Sequence, residues 1–192
     1  MNRMDYLWMK WRAMGLLVLG RNAAAMAVFE AMLQRWPDDT YALASRMHQR
    51  VQSEQTSAAL ADSRRLVTLR PDHAGTWFNH GYVLELAGLW DEALAAFKRA
   101  AELGPELDRA WYGMGLVLIR LGRHDEAVSA LKRNTELQPM SPHGWYQLAR
   151  VHVDRHDPDE AVKIIRHLQK FEPKVAAQLE RETGLLVGKP AT

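Results

Sequence analysis

Apolar positions along the chain recur with the spacing of short, paired helices. Within residues 74–107, two groups of mainly apolar or small side chains each have the period of one helix face, and Gly88 lies between them. The first group is Trp77, His80, Gly81 and Leu84, and the second is Ala93, Phe97 and Ala100. The pattern predicts two α-helices joined by a short turn.

The helix pair repeats every 34 residues. Units begin at Tyr6, Thr40, Ala74, Asp108 and Pro142 without insertion or deletion. One position holds alanine in every unit, and a position twelve residues later holds proline. These columns are Ala25, Ala59, Ala93, Ala127 and Ala161, and Pro37, Pro71, Pro105, Pro139 and Pro173. Five units in one phase predict an all-α fold of stacked helix pairs, with the alanine where two helices cross closely.

The ends of the predicted helices carry recognisable signals. Gly20, Gly88 and Gly122 lie where the first helix of a unit should end, as a left-handed C-cap requires. Glu54 and His156 occupy the equivalent position in units two and five, which predicts less favourable turns there. In unit five, Asp157 can cap the second helix and Pro158 can stand at its first position.

The stretch LGRHDEAVSAL at residues 121–131 has the residue types of a catalytic or metal site. The repeat favours another interpretation of Arg123, His124, Asp125 and Glu126. Arg123 and His124 cross the corner after Gly122, and the two acids begin the next helix. Their negative charges are stabilised there by the positive end of the helix dipole. We therefore expect a turn here and not a reaction centre.

At the repeated positions of its 34-residue units, the chain resembles the tetratricopeptide repeat family. The signature of that family has tryptophan, leucine, glycine and tyrosine in the first helix, and alanine, phenylalanine, alanine and proline in the second. Unit three matches closely with Trp77, Gly81, Ala93, Phe97, Ala100 and Pro105. Units one and two are degenerate, with Met9 and Leu43 for the tryptophan, Arg12 and Arg46 for the leucine, and Arg50 for the tyrosine.

The resemblance implies a right-handed α-solenoid of five units followed by a C-terminal capping helix. The predicted segments are an extension at residues 1–5, repeats at 6–39, 40–73, 74–107, 108–141 and 142–175, and a capping helix with a tail at 176–192. Within the repeats, the resemblance implies that Trp77, Trp111 and Trp145 pack in the core.

The resemblance also implies a concave groove, lined by the first helices, that holds a peptide or a helix of a partner protein. Aromatic side chains would stack on the ligand, Asn79 would fix its backbone, and the arginines would suit an acidic group or a C-terminal carboxylate. The predicted groove residues are Phe78, Asn79, Tyr82, Arg109, Tyr112, Leu116, Arg120, Tyr146, Gln147 and Arg150.

Composition and charge restrict the possible functions. A net charge of +2, from 25 basic and 23 acidic residues, argues against a nucleic-acid partner. With no cysteine, the chain has no disulfide, thiolate nucleophile or thiolate metal ligand. His152 and His156 have a zinc-compatible spacing near Asp154 and Asp157, but no third ligand is evident. We expect no cofactor, no metal and no enzymatic activity.

The first predicted helix, Tyr6 to Leu19, is apolar on nearly every side. Its only charges are Lys10 and Arg12, so part of its surface should remain uncovered at the free end of the array. The expected association surface consists of Trp8, Met9, Trp11, Met14 and Leu17. We expect it to contact a second copy, giving a homo-oligomer, or an obligate partner. A membrane surface is disfavoured because two cations give weak attraction to anionic lipid.

The N-terminal apolar run is short for a signal peptide and lies inside the first repeat, so a cytoplasmic location is favoured over export. The sequence then leaves three functions open. The chain is a scaffold that binds a partner peptide or helix, a secretion-type chaperone for an apolar client segment, or an enzyme subunit or membrane-linked assembly factor anchored by its first helix. Among these, the scaffold is the leading hypothesis.

Overall fold

The computed structural model describes residues 3–187, which form eleven α-helices and no β-strand. In chain order the helices are α1 (Arg3–Val18), α2 (Asn22–Arg35), α3 (Thr40–Gln52), α4 (Thr56–Leu69), α5 (Ala74–Leu86), α6 (Trp90–Leu103), α7 (Asp108–Arg120), α8 (His124–Leu137), α9 (Pro142–Asp154), α10 (Pro158–Gln169) and α11 (Pro173–Thr183). They fall into two compact units, divided between Leu89 and Trp90.

In the first unit, the helices pack in sequence: α1 on α2, α2 on α3, α3 on α4 and α4 on α5. Phe29, Met32, Leu43 and Leu84 are the large side chains at the centre of these contacts and are almost fully buried. Burying one such side chain contributes about 1.5 to 3 kcal/mol to stability. Helix packing between sequence neighbours therefore holds this unit together.

In the second unit, α6 to α11 also pack in sequence, and α11 lies against α9 as well as α10. Two glycines of α7 permit a close approach of its neighbours. A Cβ atom added at Gly113 would lie 2.7 Å from the ring of Phe97, and one at Gly115 would lie 2.7 Å from Leu131. Both positions therefore require glycine for packing.

The five alanines of the repeated column have no solvent exposure at all. This burial agrees with their predicted role at close helix crossings. Gly20, Gly88 and Gly122 have positive φ angles of 67° to 73°, as expected of left-handed caps. Glu54 and His156 adopt the same conformation, with φ of 58° and 59°, although side chains are disfavoured there.

The repeated tryptophans are half-buried, so the prediction that they lie in the core was wrong. Each indole N–H donates a hydrogen bond to the carbonyl oxygen of the proline six residues earlier. The pairs are Trp77 with Pro71 at 2.7 Å, Trp111 with Pro105 at 2.9 Å, and Trp145 with Pro139 at 2.8 Å. Because those prolines lie in surface turns, the rings must remain near the surface to reach them.

A buried ion cluster replaces signature residues in the degenerate second repeat. The Asp62 carboxylate, on a side chain only 4% exposed, accepts hydrogen bonds from Arg46 at 2.6 and 3.0 Å and from Arg50 at 2.7 Å. Arg50 also donates to the carbonyl oxygen of Ala58. These charge-assisted bonds connect α3 to α4. The two arginines stand where the repeat signature has a leucine and a tyrosine.

Two predicted boundaries differ from the helix ends. Helix α1 begins at Arg3, so residues 3–5 are not an extension before it, and residues 1–2 lie outside the described part. Helix α11 begins at Pro173, whose fixed φ suits a first helical turn, and ends before Gly184. After that, the backbone of Val187 bonds to the side chains of Glu180 and Gln169. The predicted tail beyond residue 187 lies outside the described residues.

Candidate protein-binding surfaces

Three of the predicted groove residues lie on α5 in the first unit. Phe78 is half-buried, Asn79 is exposed and Tyr82 is 43% exposed. Phe78 and Tyr82 are four residues apart, so they share one face of the helix. Helix α5 therefore presents an aromatic and an amide group to solvent.

The other seven predicted residues lie on α7 and α9 in the second unit. The three arginines are exposed, and the four remaining side chains are half-buried. Helix α7 carries Arg109, Tyr112, Leu116 and Arg120, and α9 carries Tyr146, Gln147 and Arg150. The guanidinium of Arg120 lies over the ring of Trp90, 6.0 Å from its centroid.

A cavity of about 300 Å³ brings three of these residues together with the capping helix. Tyr112, Tyr146 and Gln147 line it from α7 and α9, and Val175 and Gln178 line it from α11. Pro142 and His143 complete its wall. Its lining thus combines two phenol rings with two side-chain amides, whereas Arg109, Leu116 and Arg120 do not line it.

A second cavity, of about 380 Å³, has Arg150 in its wall. Val153 and Asp154 of α9 line it as well, together with Glu182 and Thr183 of α11. The contribution of α11 to both cavities was missed by sequence reasoning, which treated this helix only as a cover. The spacing of Gln178 and Glu182, four residues apart on one helix face, was the available signal.

Glu182 connects α11 to the predicted groove. The hydroxyl of Tyr146 donates a hydrogen bond of 2.5 Å to the Glu182 carboxylate, and Gln178 donates another of 2.8 Å. These two bonds lower the pKa of Glu182, and the bond to Glu182, together with burial, raises the pKa of Tyr146. Arg150 lies beside the same hydroxyl at 3.5 Å. A carboxylate, a phenol and a guanidinium therefore meet between α9 and α11.

Helix α1 has two different faces. The inner face, with Tyr6, Lys10 and Ala13, packs on the rest of the first unit. Tyr6 meets the ring of Trp36 edge-on. The Lys10 ammonium lies 4.4 Å from the centroid of the Tyr41 ring. The opposite face exposes large apolar side chains, which we call the outer stripe. Its members are Met4, Leu7, Trp8, Trp11, Met14 and Val18.

The outer stripe contains three of the five residues of the predicted association surface. Trp8 and Trp11 are 60% and 66% exposed, and Met14 is exposed too. Met9 and Leu17 are half-buried instead and do not belong to the stripe, because their positions turn toward the inner face. Met4, Leu7 and Val18 also belong to the stripe, although the predicted surface did not include them. Among the described helices, none has both the length and the apolar character needed to cross a lipid bilayer.

The RHDE segment forms a network of surface ion pairs. Arg123 binds Glu126 through two nitrogens at 2.6 and 2.7 Å, which lowers the pKa of Glu126. Arg155 contacts Asp125 at 2.7 Å. Helix α8 already begins at His124, one residue earlier than expected, so only Arg123 remains in the corner.

Two buried histidines, which could serve in catalysis or metal binding elsewhere, have structural partners here. His152 is buried, and its Nδ1 lies 3.2 Å from Asp157, the residue that caps α10. The Ser63 hydroxyl lies 2.9 Å from Nδ1 of His80, but both residues are buried and no substrate could reach the pair. Within residues 3–187, no cluster of three or more histidine, aspartate or glutamate residues could hold a metal ion.

Comparison with known proteins identifies the repeat. The sequence model of the tetratricopeptide repeat matches residues 48–108, 87–142 and 112–176 in overlapping segments. It describes a helical repeat and not a catalytic domain. No curated protein gives a significant match to the chain.

Solved structures show the same fold. The MamA protein aligns with a TM-score of 0.80 at 19% identity, covering 100% of this chain and 99% of MamA. YrrB, described as a TPR protein with an unusual peptide-binding site, has a TM-score of 0.76 at 19% identity, with 88% of each chain covered. TTC0263, a thermophilic TPR protein of Thermus thermophilus, has a TM-score of 0.66 at 23% identity, covering 91% of this chain and 96% of that protein.

Proposed function

Since this chain belongs to the tetratricopeptide repeat family, we propose that it is a scaffold that binds a peptide or helical segment of a partner protein. The observation that carries this proposal is the cavity between α7, α9 and α11. Phenol rings and side-chain amides line it, and this combination suits a peptide. The rings contact apolar side chains, while Gln147 and Gln178 can each donate to and accept from a peptide backbone.

The size of the cavity fits one anchoring side chain of a longer ligand. A volume of about 300 Å³ lies at the lower end of the range for ligand pockets. The remainder of the peptide would run over exposed groups such as Arg150. In the first unit, we propose Phe78, Asn79 and Tyr82 of α5 as ligand contacts in their own right. YrrB, whose fold is similar, is described as having a peptide-binding site, which is consistent with this function.

The test is affinity purification from the native host with the wild type and a Tyr112→Ala, Tyr146→Ala double variant. We expect the double variant to lose partners that the wild type retains, since truncating aromatic anchors weakens binding by about 1 to 3 kcal/mol. Met140→Ala is the matched control, because Met140 is exposed at 69% and does not line the cavity.

Circular dichroism of all three proteins separates binding from folding. The proposal requires that the double variant keeps the helical signal and the melting temperature of the control. If the double variant keeps its fold and retains every partner of the wild type, the cavity is not the binding site. If it unfolds, the two rings are core residues and not ligand contacts.

A second proposal concerns the first helix: the outer stripe of α1 mediates self-association. The supporting observation is that two indole side chains lie exposed next to further apolar groups. Exposed apolar patches of this kind mark contact surfaces in soluble proteins. Light scattering of the wild type beside a Trp8→Glu, Trp11→Glu variant tests this proposal. We expect the wild type to form a dimer with increasing concentration and the variant to remain monomeric.

A further inference from the structure

We propose that α1 pairs antiparallel with α1 of a second copy, and that Trp11 of each copy lies over Gly15 of the other. This inference rests on the proposed self-association and specifies its geometry. It makes α1 a symmetric dimerisation element at the N-terminal end of the chain.

The period of the outer stripe is that of a helix-pairing seam. Leu7, Trp11, Met14 and Val18 are spaced by four, three and four residues, which is the alternation of a and d positions in a heptad. Trp8 flanks the seam, and Val18 is exposed at 87%. A helix that packs only within its own chain gains nothing from exposing such a seam.

The seam is compatible with a two-fold axis. In an antiparallel pair related by such an axis, every contact occurs twice, and an a position of one helix faces a d position of the other. Placing the axis between positions 12 and 13 sets Leu7 opposite Val18 of the second copy and Trp11 opposite Met14. All four seam residues then have apolar partners, and the two helix dipoles oppose one another, which is favourable.

Gly15 offers the space that the bulky indoles need. It is exposed, and a Cβ atom added there would meet no heavy atom within 4 Å. In contrast to Gly113 and Gly115, it is not required by packing within the chain. In the register above, Gly15 lies beside Met14 on the surface that faces Trp11 of the second copy. The ring of Trp11 can therefore lie flat against the bare backbone of the second helix.

The size of the stripe predicts a weak dimer. If a tryptophan side chain presents about 250 Å², Trp8 and Trp11 together expose roughly 300 Å². The stripe is a single helix face and the two indoles contribute much of its apolar surface, so we expect a weak dimer with a dissociation constant on the order of 10 μM. A second copy is favoured over a lipid surface because the stripe is bordered by few cations, and Arg12 lies over the ring of Trp8, 5.1 Å from its centroid.

Substitution of Gly15 separates pairing from folding. Gly15→Leu should raise the melting temperature of the monomer, because leucine favours helix and nothing within the chain obstructs it. The same change should weaken the dimer about tenfold or more in sedimentation equilibrium, since it fills the space needed by Trp11. Ala23→Leu, a change at an exposed site on α2, is the control and should leave the dimer unchanged. A Gly15→Leu protein that dimerises as well as the wild type would overturn the proposal.

The chain has no cysteine, so disulfide trapping can determine the register. We expect a mixture of Leu7→Cys and Val18→Cys proteins to form a cross-linked heterodimer on mild oxidation. Neither variant alone should do so, because equivalent residues would be about 16 Å apart along the helix axis, beyond disulfide reach. Self-cross-linking of Leu7→Cys would indicate a parallel pair and refute the register.

The outcomes distinguish this inference from the proposals above. A wild-type dimer without the mixed cross-link refutes the register but leaves self-association standing. A wild type that stays monomeric well above about 10 μM refutes both, and neither result bears on peptide binding in the cavity. Sedimentation of monomers with phosphatidylserine vesicles, in place of dimerisation, would assign the stripe to a membrane surface instead.

Discussion

The indole N–H of Trp111 donates a hydrogen bond of 2.9 Å to the carbonyl oxygen of Pro105. The bond connects α7 to the turn that precedes it, and the same bond recurs at Trp77 and Trp145. In units three to five, tryptophan therefore contributes its N–H group as well as its size at this position.

We predict that Trp111→Phe lowers the free energy of unfolding by about 1 kcal/mol, the usual contribution of one hydrogen bond. Phenylalanine retains most of the ring contact but lacks the donor. Urea denaturation followed by circular dichroism measures the effect. Trp11→Phe, at an exposed site, is the control and should change stability by much less at protein concentrations that keep the chain monomeric. Equal effects at the two sites would show that the bond contributes nothing.

The Asp62 cluster gives a second prediction. Asp62→Asn should destabilise the protein by about 3 kcal/mol, because Arg46 and Arg50 are left half-buried without a compensating negative charge. Replacing the whole cluster should be tolerated much better. We expect the triple variant Asp62→Ala, Arg46→Leu, Arg50→Tyr to regain most of the lost stability, since ion clusters can often be replaced by apolar packing.

Chemical denaturation of the single and triple variants measures this difference. A triple variant no more stable than Asp62→Asn would show that the cluster cannot be exchanged for the residues of the repeat signature. The substitution of Asp62 by asparagine is nearly isosteric, so packing changes do not account for its expected effect.

The helix pattern and its turns could be predicted because both depend on local sequence. Gly88 and Gly122 mark helix ends through their own backbone preference, and the alanine column marks close crossings through side-chain size. The ion cluster could not be predicted in this way. Arg46 and Arg50 look like simple departures from the signature until Asp62, on the next helix, is known to lie between them.

The lining of the cavity between α7, α9 and α11 could be predicted only in part for a similar reason. Tyr112, Tyr146 and Gln147 follow from the phase of the repeat, and they line one cavity together. Gln178 and Glu182 belong to α11, which has no repeat signature. Their approach to Tyr146 depends on how α11 packs on α9, and periodicity carries no information about that contact.

A third prediction concerns the two left-handed caps that lack glycine. Glu54→Gly and His156→Gly should each stabilise the protein by about 1 kcal/mol, because glycine adopts positive φ without the clash of a Cβ atom. Thermal unfolding measures both effects. Gly88→Ala is the reverse control and should destabilise by a similar amount, since Gly88 has a φ of 73°. Glycine variants that melt below the wild type would show that the Glu54 and His156 side chains make a larger contribution than the strain.

The fourth prediction concerns Tyr6, whose pKa is raised to about 12. Burial is the main cause, followed by the negative charge of Asp39 and a hydrogen bond to it. Because the pKa in the folded state exceeds that in the unfolded state, the neutral phenol favours folding. This contribution is complete below pH 10, the ordinary pKa, and decreases as the pH rises toward 12.

We therefore expect the stability of the wild type to fall between pH 10 and pH 12 more steeply than that of Tyr6→Phe, which cannot ionise at this site. Denaturation at a series of alkaline pH values measures the difference, and other titrating groups affect both proteins alike. An ultraviolet titration should show one late-ionising tyrosine fewer in the variant. Asp39→Asn offers an independent check, because removing the negative charge should lower the pKa of Tyr6 while leaving the ring against Trp36. If wild type and Tyr6→Phe lose stability in parallel over this range, the phenol is not held in its neutral form by the fold.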